Sequence, residues 1–208
     1  VQDLSAQLIC EIVAPKPRES ILDCCAAPGG KTFTMAEMMG NTGKITAFDL
    51  YKGRVRMIRD GAERLGITII QCSVKDMTRP FDADLLYDKV LCDVPCSGYG
   101  VIGRKPEIRY KPLRKQETLP RLQYSILENA AGHVKKGGLL IYSTCTLNPA
   151  ENGAVAEAFL AKNPQFAPSP ISLPEGELRV TEEEPHLLTV MPYVMNSDGF
   201  FAAVFQRL

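Results

Sequence analysis

The sequence has no excess charge. Among its 208 residues, 24 Lys and Arg stand against 24 Asp and Glu, a formal net charge of zero. Taken as a total, that neutrality argues against a strongly basic nucleic-acid binder. No run of 18 apolar residues occurs, which argues against a membrane-spanning helix. No charged segment followed by an apolar stretch opens the chain, so no secretory leader is expected. Internal repeats and low-complexity tracts are missing. There are only two histidines, His133 and His186, and neither has a partner at metal-ligand spacing. The cysteines form no paired C-x-x-C knuckles, so no metal is expected.

What is present is ordinary globular usage, with 45% hydrophobic and 23% charged residues. Disorder, collagen and coiled coil are thereby excluded. A chain of this length buries enough surface for one sizeable core, so residues 1–208 are expected to form a single domain. The seven cysteines (10, 24, 25, 72, 92, 96, 145) are odd in number and lie mostly in apolar, strand-like runs. That fits a reducing cytoplasm better than a disulfide framework. The chain starts at Val1 inside a helical pattern, which reads as a piece of a longer protein. Nothing in it sets an oligomeric state, and a monomer is the expectation.

Apolar spacing predicts a helix over residues 3–14, stopped by Pro15 and Pro17. Strands are expected at 21–25, 44–50, 68–74, 87–94, 139–146 and 200–206. Helices are expected from Lys31 to before Gly40, at 52–65, at 118–135 with Gly137-Gly138 as the stop, and at 150–162. Residues 163–186 hold five of the 15 prolines and read as loop. Strands alternating with helices imply an α/β fold with a mostly parallel, doubly wound sheet. The late strand after Asp198-Gly199 is expected to be antiparallel, which points to the Rossmann-like methyltransferase variant of that fold. Ligands of such sheets bind beyond the carboxyl ends of the strands.

The loop Cys25-Ala26-Ala27-Pro28-Gly29-Gly30-Lys31 follows the first strand. Its glycines permit close backbone approach to a ligand, and a helix N-terminus comes next. A nucleotide triphosphate loop would need glycine where Cys25 stands, and the dinucleotide pattern G-x-G-x-x-G is absent. What remains is a cofactor without a phosphate cradle. Asp49, ending the second strand, is placed to hold a ribose diol, and Asp76, after the third, to accept from an adenine amino group. Together these fit S-adenosylmethionine. Taken singly, a plain turn and a solvated strand end explain them equally well.

Two more strand ends carry cysteine: Asp93-Val94-Pro95-Cys96-Ser97-Gly98 and Ser143-Thr144-Cys145-Thr146. These strands are neighbours in such a fold, so Cys96 and Cys145 can face one cleft. Cys10, Cys72 and Cys92 read as inert core. Two thiols suit methylation at carbon 5 of a cytosine, a poor nucleophile. Thiolate addition at carbon 6 raises electron density on carbon 5, and an acid near ring nitrogen 3 stabilises the developing charge. After transfer a second thiol can assist release. A nearby lysine should help to ionise the attacking thiol.

These motifs resemble the RsmB/NSUN family of RNA cytosine carbon-5 methyltransferases over nearly the whole chain. The resemblance rests on QDLSAQL at 2–8, DCCAAPGGKT at 23–32, DVPCSG at 93–98, STCTLNPAEN at 143–152 and DGFFAAVFQR at 198–207. The bacterial 16S ribosomal RNA branch is the most similar. The resemblance implies that Cys145 is the nucleophile and Cys96 the cysteine that assists product release. It implies that Asp93 and Lys31 contact the target base or the methionine end of the cofactor. It implies that residues 25–31 with Asp49, Asp76 and Asp93 form the S-adenosylmethionine pocket. Val94, Ala6 and Gly103 depart from the usual pattern, and Gly103 puts one RNA contact in doubt. The family's upstream RNA-binding region is not in this chain. Other readings are an enzyme of the same kind acting on transfer RNA or another ribosomal target, a methyltransferase with a different acceptor, and a non-catalytic ribosome-assembly factor.

Charge is unevenly spread. Residues 100–121 hold seven Lys and Arg against two Glu, net +5, whereas 175–184 hold five Glu against Arg179, net −4. The basic run directly follows the Pro-Cys motif, so Arg104, Lys105, Arg109 and Lys111 are expected to meet RNA phosphates. The RNA is expected to present an unstacked cytosine, single-stranded or flipped.

Overall fold

Asp3 begins the first element. Its carboxylate accepts the Ser5 backbone N–H at 2.9 Å, pairing one of the donors that a helix start leaves open. Helix α1 spans Leu4–Val13 and ends as Ala14 turns left-handed, just before Pro15. The computed structural model describes residues 3–112, 117–173 and 183–208. Strands β1 (Ser20–Asp23), β2 (Lys44–Asp49), β3 (Ile70–Val74) and β4 (Tyr87–Asp93) follow, with helices α2 (Gly30–Met38) and α3 (Lys52–Arg64) between the first three. Then come α4 (Leu119–Ala131), β5 (Val134–Thr144), α5 (Gly153–Lys162), β6 (Phe166–Pro168), β7 (Leu187–Val190), α6 (Pro192–Met195) and β8 (Phe200–Arg207).

The sheet runs β3-β2-β1-β4-β5-β8-β6, and β7 also pairs with β8. The first five strands are parallel to their neighbours, and β8 is antiparallel to β5, β6 and β7. Strand order reverses between β1 and β4, so their carboxyl ends flank the crevice where this topology binds ligands. Both faces of the sheet are covered. Val90 and Cys92 of β4 join the cluster built with Ile126 and Leu127 of α4 and Phe159 of α5. Leu91, between them, joins the opposite cluster with Ile9 of α1 and Met35 of α2. This is why β4 reads as an unbroken apolar run rather than an alternating one.

One expected boundary is wrong in an informative way. The helix predicted over 118–135 ends at Ala131, and β5 already begins at Val134. Val134 is fully buried and pairs with Tyr87. Pairing resumes at Lys89 with Leu139, so residues 135–138 form a bulge in β5. Gly137 sits there at φ +78°, and a Cβ on Gly138 would lie 2.7 Å from the Asp88 carbonyl. The glycine pair that looks like a helix stop is the device that kinks a strand. Strands β6 and β7 were also absent from the prediction. Each borrows its hydrogen bonds from the outer edge of β8, and a short strand without its own apolar alternation leaves no periodic signal.

Candidate active site

The carboxyl ends of β1, β4 and β5 and the N-terminal turn of α2 open onto one cavity of about 810 Å³. That is within the usual range for a small-molecule site. Of the predicted cofactor loop, Cys25, Ala26, Ala27, Pro28, Gly30 and Lys31 line it, together with Asp93 and Cys145.

Gly29 does not line it. Gly29 adopts φ +111°, and an added Cβ would strike the ring of Phe33. Gly61 of α3 faces the same ring, with its own would-be Cβ 2.5 Å away. Phe33 is therefore clasped between two glycines, and both the φ of +111° and this packing favour glycine at 29.

Lys31 bridges the cavity to Asp93 at 2.7 Å, and Ser143 Oγ donates to the other Asp93 oxygen at 2.9 Å. Burial alone would lower the Lys31 pKa, but the Asp93 charge overrides it and holds the ammonium above its ordinary value. Asp49 and Asp76 end or follow β2 and β3 as expected, and Lys75 N–H donates to the Asp49 carbonyl at 3.0 Å, setting the two acids side by side. Neither belongs to the cavity lining. The Asp49 carboxylate accepts the Ala27 N–H at 3.3 Å and faces Arg54 at 3.5 Å. Asp76 is turned to Thr78 and Arg79.

Asp23 is the residue that sequence reasoning passed over, although it opens the DCCAAPGGKT motif. It lines the cavity and is almost wholly buried. One carboxylate oxygen accepts from Thr32 Oγ1 at 2.7 Å, while the other, Oδ1, has no hydrogen-bond partner among the described residues. Burial pushes its pKa up to about 7, against the Thr32 hydrogen bond. A buried orphan acceptor at the wall of a cavity is the complement of a ligand cation.

The two cysteine loops meet. Cys96 Sγ and Cys145 Sγ are 3.3 Å apart, across 49 residues of chain. Their mutual contact holds the Cys145 thiol below its ordinary value and raises that of Cys96. The sulfur whose thiol is held down is also the more exposed of the two, as solvation of a thiolate favours. The expected help from a lysine is present in direction but is not the largest influence. Lys31 acts in the same direction but is opposed by Asp93, so Cys96 is the main source of ionisation. The remaining cysteines divide as expected: Cys10 and Cys92 are buried, Cys72 is half-buried, and Cys24 packs its sulfur 3.7 Å from that of Cys92.

Glycine fixes the neighbourhood of Cys145. Gly100 N–H donates to the Cys145 carbonyl at 3.0 Å, and the Gly100 carbonyl accepts from Gly199 N–H at 2.9 Å. A Cβ on Gly100 would overlap the Gly199 carbonyl and lie 2.9 Å from that of Cys145. Backbone on both sides leaves no soft side chain to yield. Gly100→Ala is expected to destabilise the fold by about 1–3 kcal/mol, the usual cost of overpacking. Urea unfolding of the two forms checks this, and an unchanged midpoint would contradict the packing account.

A family model described as 16S rRNA methyltransferase RsmB/F matches residues 10–206. The chain belongs to this family. A probable ribosomal RNA small subunit methyltransferase B of Bacillus subtilis (strain 168) is 42% identical, covering 97% of this chain and 46% of that protein. A protein of the same description from Synechocystis is also 42% identical, over 98% of this chain and 46% of its own length. The chain thus spans about half the length of the curated relatives it matches. Among solved structures, NSun6 from Pyrococcus horikoshii with SFG aligns with TM-score 0.87 at 29% identity, covering 99% of this chain and 52% of that one. A methyltransferase homolog protein from the same organism aligns with TM-score 0.83 at 31% identity, over 100% of this chain and 67% of that one.

The candidate RNA residues are only partly at this site. Arg104 and Lys105 line the cavity. The Arg104 guanidinium is drawn onto Asp198, with Nε 2.9 Å from Oδ1 and a second contact from its terminal nitrogen. Arg109 closes the short 3-10 turn Pro106–Tyr110, and Lys111 follows it; both are exposed. Arg114 and Lys115 of the basic run, and residues 175–182 of the acidic one, lie outside the described residues. No helix among the described residues is long and apolar enough to cross a membrane.

Proposed function

We propose that this chain is the catalytic domain of an enzyme that methylates carbon 5 of a cytosine in RNA, using S-adenosylmethionine, with 16S ribosomal RNA as the target and the cytoplasm as its place of action. The observation that carries this reading is the pair of thiols 3.3 Å apart at the edge of a cavity that begins at the Cys25–Lys31 loop. Methylation of an amine or hydroxyl has no use for two adjacent sulfurs. Family membership supports the RNA target.

The residues present fit the cofactor. Asp23 Oδ1 is a buried acceptor awaiting a cation, and an amino-acid ammonium supplies one. Residues 25–28, Gly30 and Lys31 would surround the methionine end, with Gly29 seating Phe33 behind them. Asp49 and Asp76 would take the ribose and adenine ends, each in competition with its present partners Arg54 or Thr78 and Arg79. When bound, S-adenosylmethionine supplies an electrophilic methyl group.

The chain's own groups do the rest. Cys145 enters as the thiolate, because Cys96 hydrogen-bonds to it. Its addition to carbon 6 of the cytosine places electron density on carbon 5. The ion pair of Lys31 and Asp93 stands where it can meet the base edge and stabilise that charge. Once carbon 5 carries the methyl group, its proton passes to water, the pair of that bond forms the carbon 5–carbon 6 double bond, and the carbon–sulfur bond breaks, returning its pair of electrons to Cys145. Cys96 is the group beside that bond. Lys105, and Arg104 if it leaves Asp198, would hold phosphates near the cleft, with Arg109 and Lys111 farther along the strand.

The test uses a full-length protein containing this domain, isotopically labelled S-adenosylmethionine and unmodified 16S ribosomal RNA. Label is expected on carbon 5 of a single cytosine. Label on a ring or exocyclic nitrogen, or none at all, would sink the proposal.

A further inference from the structure

Directly after the nucleophile motif, Glu151 and Asn152 are buried and polar, with 0% and 4% of their surfaces exposed. Neither is among the residues that line the cavity. Their hydrogen bonds go to different loops. Glu151 Oε2 accepts the Ser97 backbone N–H at 2.9 Å and Gln123 Nε2 at 2.9 Å, and Gln123 Nε2 also donates to the Pro95 carbonyl at 2.9 Å. Pro95 and Ser97 are the two neighbours of Cys96. The other Glu151 oxygen accepts from Asn148 Nδ2 at 2.9 Å. Asn152 instead grips the neighbours of Cys145. Its Oδ1 accepts from Thr144 Oγ1 at 2.7 Å, and its Nδ2 donates to the Thr146 carbonyl at 3.0 Å. Beneath them, the Tyr142 hydroxyl donates to the Glu151 carbonyl at 2.5 Å and anchors the dyad to β5.

We infer that Glu151 and Asn152 are positioning residues with divided labour: Asn152 aims Cys145 for attack, and Glu151 holds Cys96 where it resolves the covalent adduct. The inference rests on the two-cysteine reading above. A buried carboxylate with no cationic partner among the described residues is costly to keep for folding alone. Here each of its oxygens is spent on a donor, and two of the three donors belong to residues that bracket or tether Cys96. Sulfur-to-sulfur approach at 3.3 Å depends on both loops being held. A shift of one ångström in either would break the pairing that ionises Cys145.

The division predicts opposite signatures in a denaturing-gel assay of protein–RNA adducts on the full-length enzyme. Asn152→Ala is expected to slow adduct formation roughly tenfold, the scale of one or two lost buried hydrogen bonds, with adduct decay unchanged. Glu151→Ala, by loosening the Cys96 loop, is expected to slow formation less than Asn152→Ala does and to slow decay roughly tenfold. Glu151→Gln, which keeps one oxygen for Ser97 and Gln123, should restore decay towards wild type. Should Glu151→Ala not fold, Gln123→Met carries the test, since it cuts the Pro95 tether and leaves Glu151 on Ser97; it too should slow decay. A merely structural role would lower formation and turnover in one proportion in all variants, and that result overturns the inference. Cys96→Ala is the control. If it forms no adduct while wild type methylates, the two-cysteine reading and this inference fall together. If it accumulates adduct but the Glu151 and Gln123 variants do not, only the inference falls.

Discussion

Cys145→Ala will abolish methyl transfer, and Cys96→Ala will leave the protein covalently attached to its RNA. Loss of an attacking nucleophile costs about four orders of magnitude or more in covalent catalysis, because no neighbouring group can replace it. Here Cys96 is the obvious substitute, at 3.3 Å from Cys145. It is a poor one. With Cys145 gone, burial and the Asp93 charge still hold its thiol up, and it is less exposed than Cys145 was. Cys96→Ala removes the contact that holds the Cys145 thiol down, so the attacking thiolate should also become scarcer. First addition should therefore slow below wild type, most visibly at lower pH, while resolution slows far more. Transfer of labelled methyl groups, with adducts counted after denaturation, separates the steps. Full activity of Cys145→Ala would end the mechanism. Rapid turnover by Cys96→Ala would remove Cys96 from it.

The second large effect is expected at Asp23. Its pKa is about 7 in the fold against an ordinary 3.8, so between these values the folded chain keeps a proton that the unfolded chain has released. The contribution to stability is then fully present below about pH 4 and declines as pH rises to about 7, above which it is constant. At 1.36 kcal/mol per pKa unit the whole decline is roughly 4 kcal/mol. Asp23→Asn cannot ionise. Its stability relative to wild type, both free of ligand, should therefore rise steadily across that window. Urea unfolding at pH 4, 5.5 and 7 measures it, and a difference independent of pH would refute the burial argument. Binding should respond the other way. The ammonium of S-adenosylmethionine needs the ionised carboxylate, so wild-type affinity should rise with pH up to about 7. Asp23→Asn should bind at least about tenfold more weakly, because a charge-assisted hydrogen bond becomes a neutral one. The variant would be the sturdier protein and the worse enzyme, the trade expected where a site stores an unmet interaction.

Much of this was legible from residue order. The end of β1, the loop after it and the two cysteine motifs stand at strand ends, and parallel topology gathers strand ends at one place. Asp23 was harder to see, because its message is an absent hydrogen bond and not a motif. Glu151 and Asn152 were written inside the recognised STCTLNPAEN stretch, but their roles depend on which loops lie within 3 Å. Gly29 has a second reason that the sequence hides, since its backbone φ and the Phe33 ring between it and Gly61 also favour glycine. Gly137-Gly138 misled because the same residues serve a helix end and a strand bulge, and only the burial of Val134 against Tyr87 decides between them. Charge counting placed Arg104 on RNA without the means to see Asp198, 94 residues later, already holding it.

The contact of Gly100 with Gly199 and Cys145 has a consequence for the order of events on the ribosome. Asp198 N–H donates to the Asp3 carboxylate at 3.3 Å, so the start of α1 and the approach to β8 close around the nucleophile together. A nascent chain that has emerged only through β5 carries both cysteines, the cofactor loop and most of the sheet. It still lacks the backbone on which Gly100, and through it the Cys145 carbonyl, comes to rest. The Cys145 loop therefore gains its full backbone support only when Gly199 and β8 have joined the fold.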